Sequence, residues 1–142
     1  MKRIVNAALA FVSLAVLGMI MAPSARAAAH CSNSTLKGSY SATITGTVDG
    51  LPLAELDLVS SNGNGTFTGT GTLAFNGAIS SVSFTATYTI NSDCSGSAVL
   101  STGVTQNLNI KEDGTEVMFI GTNSPSAEVT GDAKRINKGK DD

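Results

Sequence analysis

The 142-residue chain offers few side chains for chemistry: two cysteines, one histidine and a small set of polar residues at strand spacing. Cys94 sits in the turn-like stretch "NSDCSGS" (residues 91–97), and Cys31 stands just before the first run of alternating residues. A reactive thiol needs a nearby base or cation, and the adjoining Asp93 opposes thiolate formation. Two cysteines in an exported chain are read instead as a disulfide. Such a Cys31–Cys94 bridge closes a loop of roughly 64 residues, worth about 4 kcal/mol in the chain-entropy account. It would clamp the N-terminal segment to one end of the fold.

The remaining chemistry is mostly missing. His30 is the sole histidine and lies beside a cleavage point, where a terminal residue is expected rather than a catalytic base. No Ser-His-Asp arrangement can be assembled, and two cysteines with one histidine are too few for a zinc site. Asp49, Asp57, Asp93, Glu112 and Asp113 fall in or beside turns or on an outer face, where turn chemistry accounts for most of them. "GNGTFTGTG" precedes no helix and lacks a lysine, so it is not a phosphate loop. No catalytic residue, metal or cofactor is expected.

The first residues read as a secretory leader. Lys2 and Arg3 precede an apolar stretch, Ile4 to Ala22, ended by Pro23; Ala25-Arg26-Ala27 then provides small residues two apart. A retained membrane anchor is the competing reading, because the stretch is long enough to cross a bilayer. His30 before Cys31 excludes a lipid anchor on that cysteine. The expected division is a cleaved leader over 1–27, a β domain over 28–133 and a charged tail over 134–142, with no membrane insertion after cleavage. Losing Lys2, Arg3 and Arg26 reduces nine basic residues to six against eleven acidic ones, a net charge of −5. That charge disfavours nucleic acid and anionic lipid as partners. A periplasmic or extracellular location is expected, and oligomeric state is left open.

Beyond the leader, strict alternation marks half-buried strands. Residues 38–48 set Tyr40, Ala42, Ile44, Gly46 and Val48 against a row of Ser and Thr. Residues 53–60 alternate more weakly, with Ala54, Leu56 and Leu58 assigned inward and Glu55 and Asp57 outward. Phe67, Gly69, Gly71, Leu73 and Phe75 form a third inward row, and Val82, Phe84, Ala86, Tyr88 and Ile90 a fourth. Four shorter strands follow, ending with residues 127–133. The seventh is apolar on both faces through Met118 and Ile120, and a cover is expected from segment 31–37 or another chain. Short connections, "DG" and "NGNG" among them, pair sequential neighbours antiparallel. The reading is an all-β up-and-down barrel of about eight strands, with a two-sheet sandwich as alternative.

The inward list is rich in Gly and Ala, which leaves room for a small ligand or else permits strand bending with Phe filling the gap. Tyr40, Tyr88 and Gln106 are the inward polar groups that would contact a ligand. Alternatively both hydroxyls reach solvent at the barrel mouth. Three roles follow: binding of a small apolar or amphipathic molecule, a structural or surface-interaction protein with a filled core, or a cyclase or isomerase acting in the barrel. The last requires an inward acid or base with a displaced pKa. The Thr rows resemble ice-binding ladders, but their spacing is irregular, and Thr is a common solvent-side strand residue.

The stretches "CSNSTLKGSYSATITG" (31–46), "SNGNGTFTGTGTLAFNG" (61–77) and "YTINSDCSGSAVL" (88–100) resemble a group of small secreted bacterial proteins of unknown function. Their shared pattern is a cysteine, Leu-x-Gly-x-Tyr, a Gly-Asn-Gly turn with Phe-Thr-Gly, then a tyrosine six residues before Cys-x-Gly. The resemblance implies export and a meander barrel, and implies no activity. More remotely, the architecture is similar to calycin-like barrels and to the allene oxide cyclase and dirigent barrels. No catalytic motif of those enzymes can be placed here residue by residue.

Overall fold

The computed structural model describes residues 30–137. The proposed leader and residues 138–142 lie outside the described residues. A 3-10 turn, Asn33–Leu36, leads into eight strands: β1 (Lys37–Val48), β2 (Leu51–Asn62), β3 (Thr66–Phe75), β4 (Ala78–Ile90), β5 (Ser95–Leu100), β6 (Thr105–Ile110), β7 (Glu116–Gly121) and β8 (Ala127–Asn137). Each pairs antiparallel with its neighbour in sequence, and β8 pairs with β1 to close the barrel. Closure leaves no edge strand to template association. It also decides for the barrel over the sandwich.

Turn chemistry sets the registers. Asp49 (φ 52°) and Gly50 (φ 77°) form a two-residue turn with both residues left-handed, and so do Asn76 (φ 46°) and Gly77 (φ 81°). Val48 therefore faces Leu51, and Phe75 faces Ala78. Asp93 Oδ1 accepts from Ser95 N (3.0 Å) and Ser95 Oγ (2.6 Å); Asp113 Oδ1 accepts from Thr115 N (2.9 Å) and Thr115 Oγ1 (2.6 Å). These bonds hold both carboxylates below their usual range, the side-chain bond contributing most.

The two ends of the barrel differ. At the end holding the start of β1, the N-terminal segment folds across as a plug. Leu36, Tyr40, Tyr88, Ile90, Ile110 and Val117 pack beneath the barrel's middle as its solid core. Cys31 and Cys94 are both buried and joined by a disulfide, Cα–Cα 5.0 Å, across 63 residues of sequence. Asn33 adds to the clamp: its Oδ1 accepts from Ile90 N (2.8 Å) and its carbonyl accepts from Tyr88 Oη (2.9 Å). At the opposite end the β1–β4 wall overreaches the short strands β5–β7. Pairing of β4 with β5 reaches only from Ile90 to Ala86, and Ala78–Thr85 rises past it.

Three expectations are corrected. β8 runs to Asn137, so residues 134–137 belong to the barrel and not to a tail. Segment 31–37 plugs the barrel end and does not cover β7, whose Met118 is 58% and Ile120 48% exposed in the single chain; cover by another chain is untouched by this. The faces of β2 are reversed: Leu56 (58% exposed) and Leu58 (54%) point outward, while Asp57 is 4% exposed and Glu55 half-buried. The reason is register. Residues directly across a strand pair share a face, and β1 places Ile44 opposite Glu55 and Ala42 opposite Asp57. β3 agrees, with Leu73 opposite Glu55 and Gly71 opposite Asp57.

Candidate functional site

Above the plugged end lies a cavity of about 780 Å³. It falls within the range of small-molecule sites, roughly 300–1,000 Å³. Its wall is mainly apolar, with Ile44, Leu73, Phe84, Leu108, Phe119 and Val129 prominent. Aromatic rings do reach over inward glycines, Phe84 over Gly69 and Phe119 over Gly131. They fill part of the space that small residues open, and the rest stays open.

Glu55 and Asp57 form the polar centre of this wall. They stand two residues apart on the inner face of β2, so their carboxyls are stacked side by side. A side-chain hydrogen bond joins them. Burial, then the negative charge and hydrogen bond of Asp57, push the Glu55 carboxyl up to about 7. Burial also raises Asp57, and the hydrogen bond from Glu55 partly offsets this. Asp57 Oδ1 is buried with no hydrogen-bond partner among the described residues. It fits only because β3 has glycine opposite: a β-carbon at Gly71 would collide with Asp57 Oδ1 and the Leu56 carbonyl. No Lys, Arg or His lines the cavity among the described residues, so the pair has no countercharge there.

The residues singled out from sequence take different places. Tyr40 and Gln106 line the cavity, and Tyr88 lies beneath it. The Tyr40 hydroxyl donates to the Gly114 carbonyl (3.0 Å) and accepts from Arg135 Nε (3.2 Å) and Nη2 (3.0 Å). Burial raises its pKa, against the pull of Arg135. The Tyr88 hydroxyl donates to the Asn33 carbonyl and shares a 3.0 Å hydrogen bond with Ser61 Oγ. The Tyr88 hydroxyl thus ties the plug to the barrel, and the Tyr40 hydroxyl ties β1 to β8 and to the β6–β7 turn, while the Tyr40 ring remains a cavity surface. Arg135, read as tail, also donates from Nη2 to the Thr35 carbonyl (2.8 Å) and from Nη1 to that of Asp113 (3.3 Å).

Sequence reasoning missed the carboxyl pair. The signal was available in parity: a two-residue turn after Val48 puts Leu51, and hence Leu53, Glu55 and Asp57, on Val48's face.

A redesigned β-barrel of known structure superposes with a TM-score of 0.52 at 19% identity, covering 74% of this chain and 95% of that one. The likeness shows the barrel architecture and no more. No protein-family model and no curated protein matches the chain.

Proposed function

We propose that this chain binds a small apolar or amphipathic molecule inside its barrel. The observation that carries the reading is the 780 Å³ apolar cavity, open at one end and plugged at the other. The outward rows of β1, β3 and β4 are mostly Thr and Ser, with Ala74 and Ile79 the apolar exceptions on β3 and β4, unlike the continuous apolar outer band of a membrane barrel. The Cys31–Cys94 bridge is compatible with an oxidising location, in keeping with an exported protein and with the resemblance to secreted bacterial barrels. A neutral fluorescent probe, N-phenyl-1-naphthylamine, tests the reading on the oxidised protein. Saturable binding is expected, lost when Val129→Trp fills the cavity in a variant that keeps its β circular dichroism. Absence of saturable binding by the unmodified protein would refute it.

A second reading, an isomerase or cyclase, is favoured by one observation: an inward acid that titrates near neutrality, Glu55 at about 7, is the kind of group general acid–base chemistry uses. Turnover of a bound molecule that is abolished by Glu55→Gln, with binding retained, would establish it.

A further inference from the structure

We propose that the molecule taken into the barrel carries a protonated amine on an apolar body, and that the amine seats on the Glu55–Asp57 pair. The inference rests on the binding reading above and adds the chemistry of the headgroup.

A carboxylate in an apolar cavity is costly unless it is paired and hydrogen-bonded. Each neighbouring strand could have supplied a cation or donor, and neither does: Ala42 and Ile44 face the pair from β1, Gly71 and Leu73 from β3. Apart from the pair, Tyr40 is the one titratable side chain on the lining among the described residues, and its hydroxyl is committed to Gly114 and Arg135. Among the described residues neither carboxyl has a hydrogen bond or ion pair to a residue beyond the pair. Asp57 Oδ1 still has no hydrogen-bond partner among the described residues, although Asp57 is only 4% exposed. Gly71 keeps open the space that this oxygen occupies.

The missing partner must therefore come from the ligand, and it must be a donor. An ammonium group supplies up to three N–H donors and one positive charge in the compact form of a lysine head. The carboxyl torsion of Asp57 is soft, so its free oxygen can swing towards such a group at little cost. A divalent cation is a poorer fit, because it demands more oxygen ligands than two carboxyls provide. No cluster of three acidic, histidine or cysteine side chains exists among the described residues. A carboxylate headgroup would be repelled. The surrounding apolar wall then takes the body of the molecule.

Competition against bound N-phenyl-1-naphthylamine separates the possibilities, using decylamine, decan-1-ol and decanoate as probes of equal chain length. At pH 8 decylamine should displace the dye at a roughly ten- to hundredfold lower concentration than decan-1-ol, the margin of charge-assisted hydrogen bonds. Decanoate should be weakest. The alkylammonium stays charged, so its advantage requires the anionic pair and should shrink on going to pH 5.5. In Glu55→Gln/Asp57→Asn the amine and the alcohol should become equal while the dye still binds. Equal displacement by amine and alcohol in the unmodified protein at pH 8 would overturn the proposal and leave the binding reading intact. So would an amine preference that survives the double substitution. Should that variant fail to fold, the pH series on the unmodified protein decides alone. Failure of the dye itself to bind would remove both readings.

Discussion

Glu55 and Asp57, on one face of one strand, couple the stability of the barrel to pH. Both are harder to ionise in the fold than in the unfolded chain. A carboxyl raised on folding favours the folded state while protonated, so its contribution is present in acid and is lost as pH rises. Thermal unfolding of the ligand-free protein should show stability falling between about pH 4.5 and about 7. In Glu55→Gln that fall should be smaller by about 1–2 kcal/mol, since water in the open cavity screens part of the effect. Arg135 sets a second prediction. It donates to the Tyr40 hydroxyl and to the carbonyls of Thr35 and Asp113, joining β8 to the plug. Arg135→Ala should cost about 2 kcal/mol in urea unfolding, and Tyr40→Phe, which leaves Gly114's carbonyl without its donor, about 1 kcal/mol.

The elements divide the labour between a plug and a cup. The plug is the segment from Cys31 to Leu36, which by itself has one 3-10 turn and no core. It is held by the disulfide and by the Asn33 bonds to Tyr88 and Ile90. Replacing both cysteines by serine should lower stability by about 3–4 kcal/mol, read from the urea midpoint of oxidised wild type against the variant. The cup is the β1–β4 wall with its shorter partner strands. Alternation made β1, β3 and β4 legible from sequence, because each carries Thr or Ser on one face and mostly apolar residues on the other. β2 was not legible by composition. Its alternation of Ala54, Leu56 and Leu58 with Glu55 and Asp57 is stronger than that of its true inward set, and points the wrong way. Tertiary register overrides it, since β1 and β3 both demand the odd-numbered residues inside. The carboxyl pair was therefore hidden by a rule that holds for most half-buried strands and fails on β2, where register turns two carboxyls inward.

At the scale of the whole molecule, closure and cavity are linked. Eight strands give a barrel whose interior side chains can only just fill, and inward Gly and Ala withdraw enough volume to leave about 780 Å³. A ligand bound there stabilises the closed barrel by mass action. N-phenyl-1-naphthylamine at a hundred times its dissociation constant should add about 2.7 kcal/mol, visible as a rise in Tm that Val129→Trp abolishes. Among the exposed apolar residues outside, Leu56 and Leu58 on β2 are separated from Met118 and Ile120 on β7 by β1 and β8, and β8 itself carries Ile136.

By itself the sequence determined what depends on near neighbours: the strands through their period of two, the tight turns through Asp-Gly and Asn-Gly, and the barrel through short links between successive strands. It also marked Cys31 and Cys94 as partners, through a leader-like start that reads as export, and the structure joins them. Only the tertiary structure decided which way β2 faces, how far β8 extends, where the plug sits and how much room is left inside. The physical reason is that these are collective quantities. A strand's inner face follows from the registers of both its neighbours. Arg135 becomes structural only once β8 closes onto β1 beside Tyr40. A cavity is what remains after every inward side chain has taken its space.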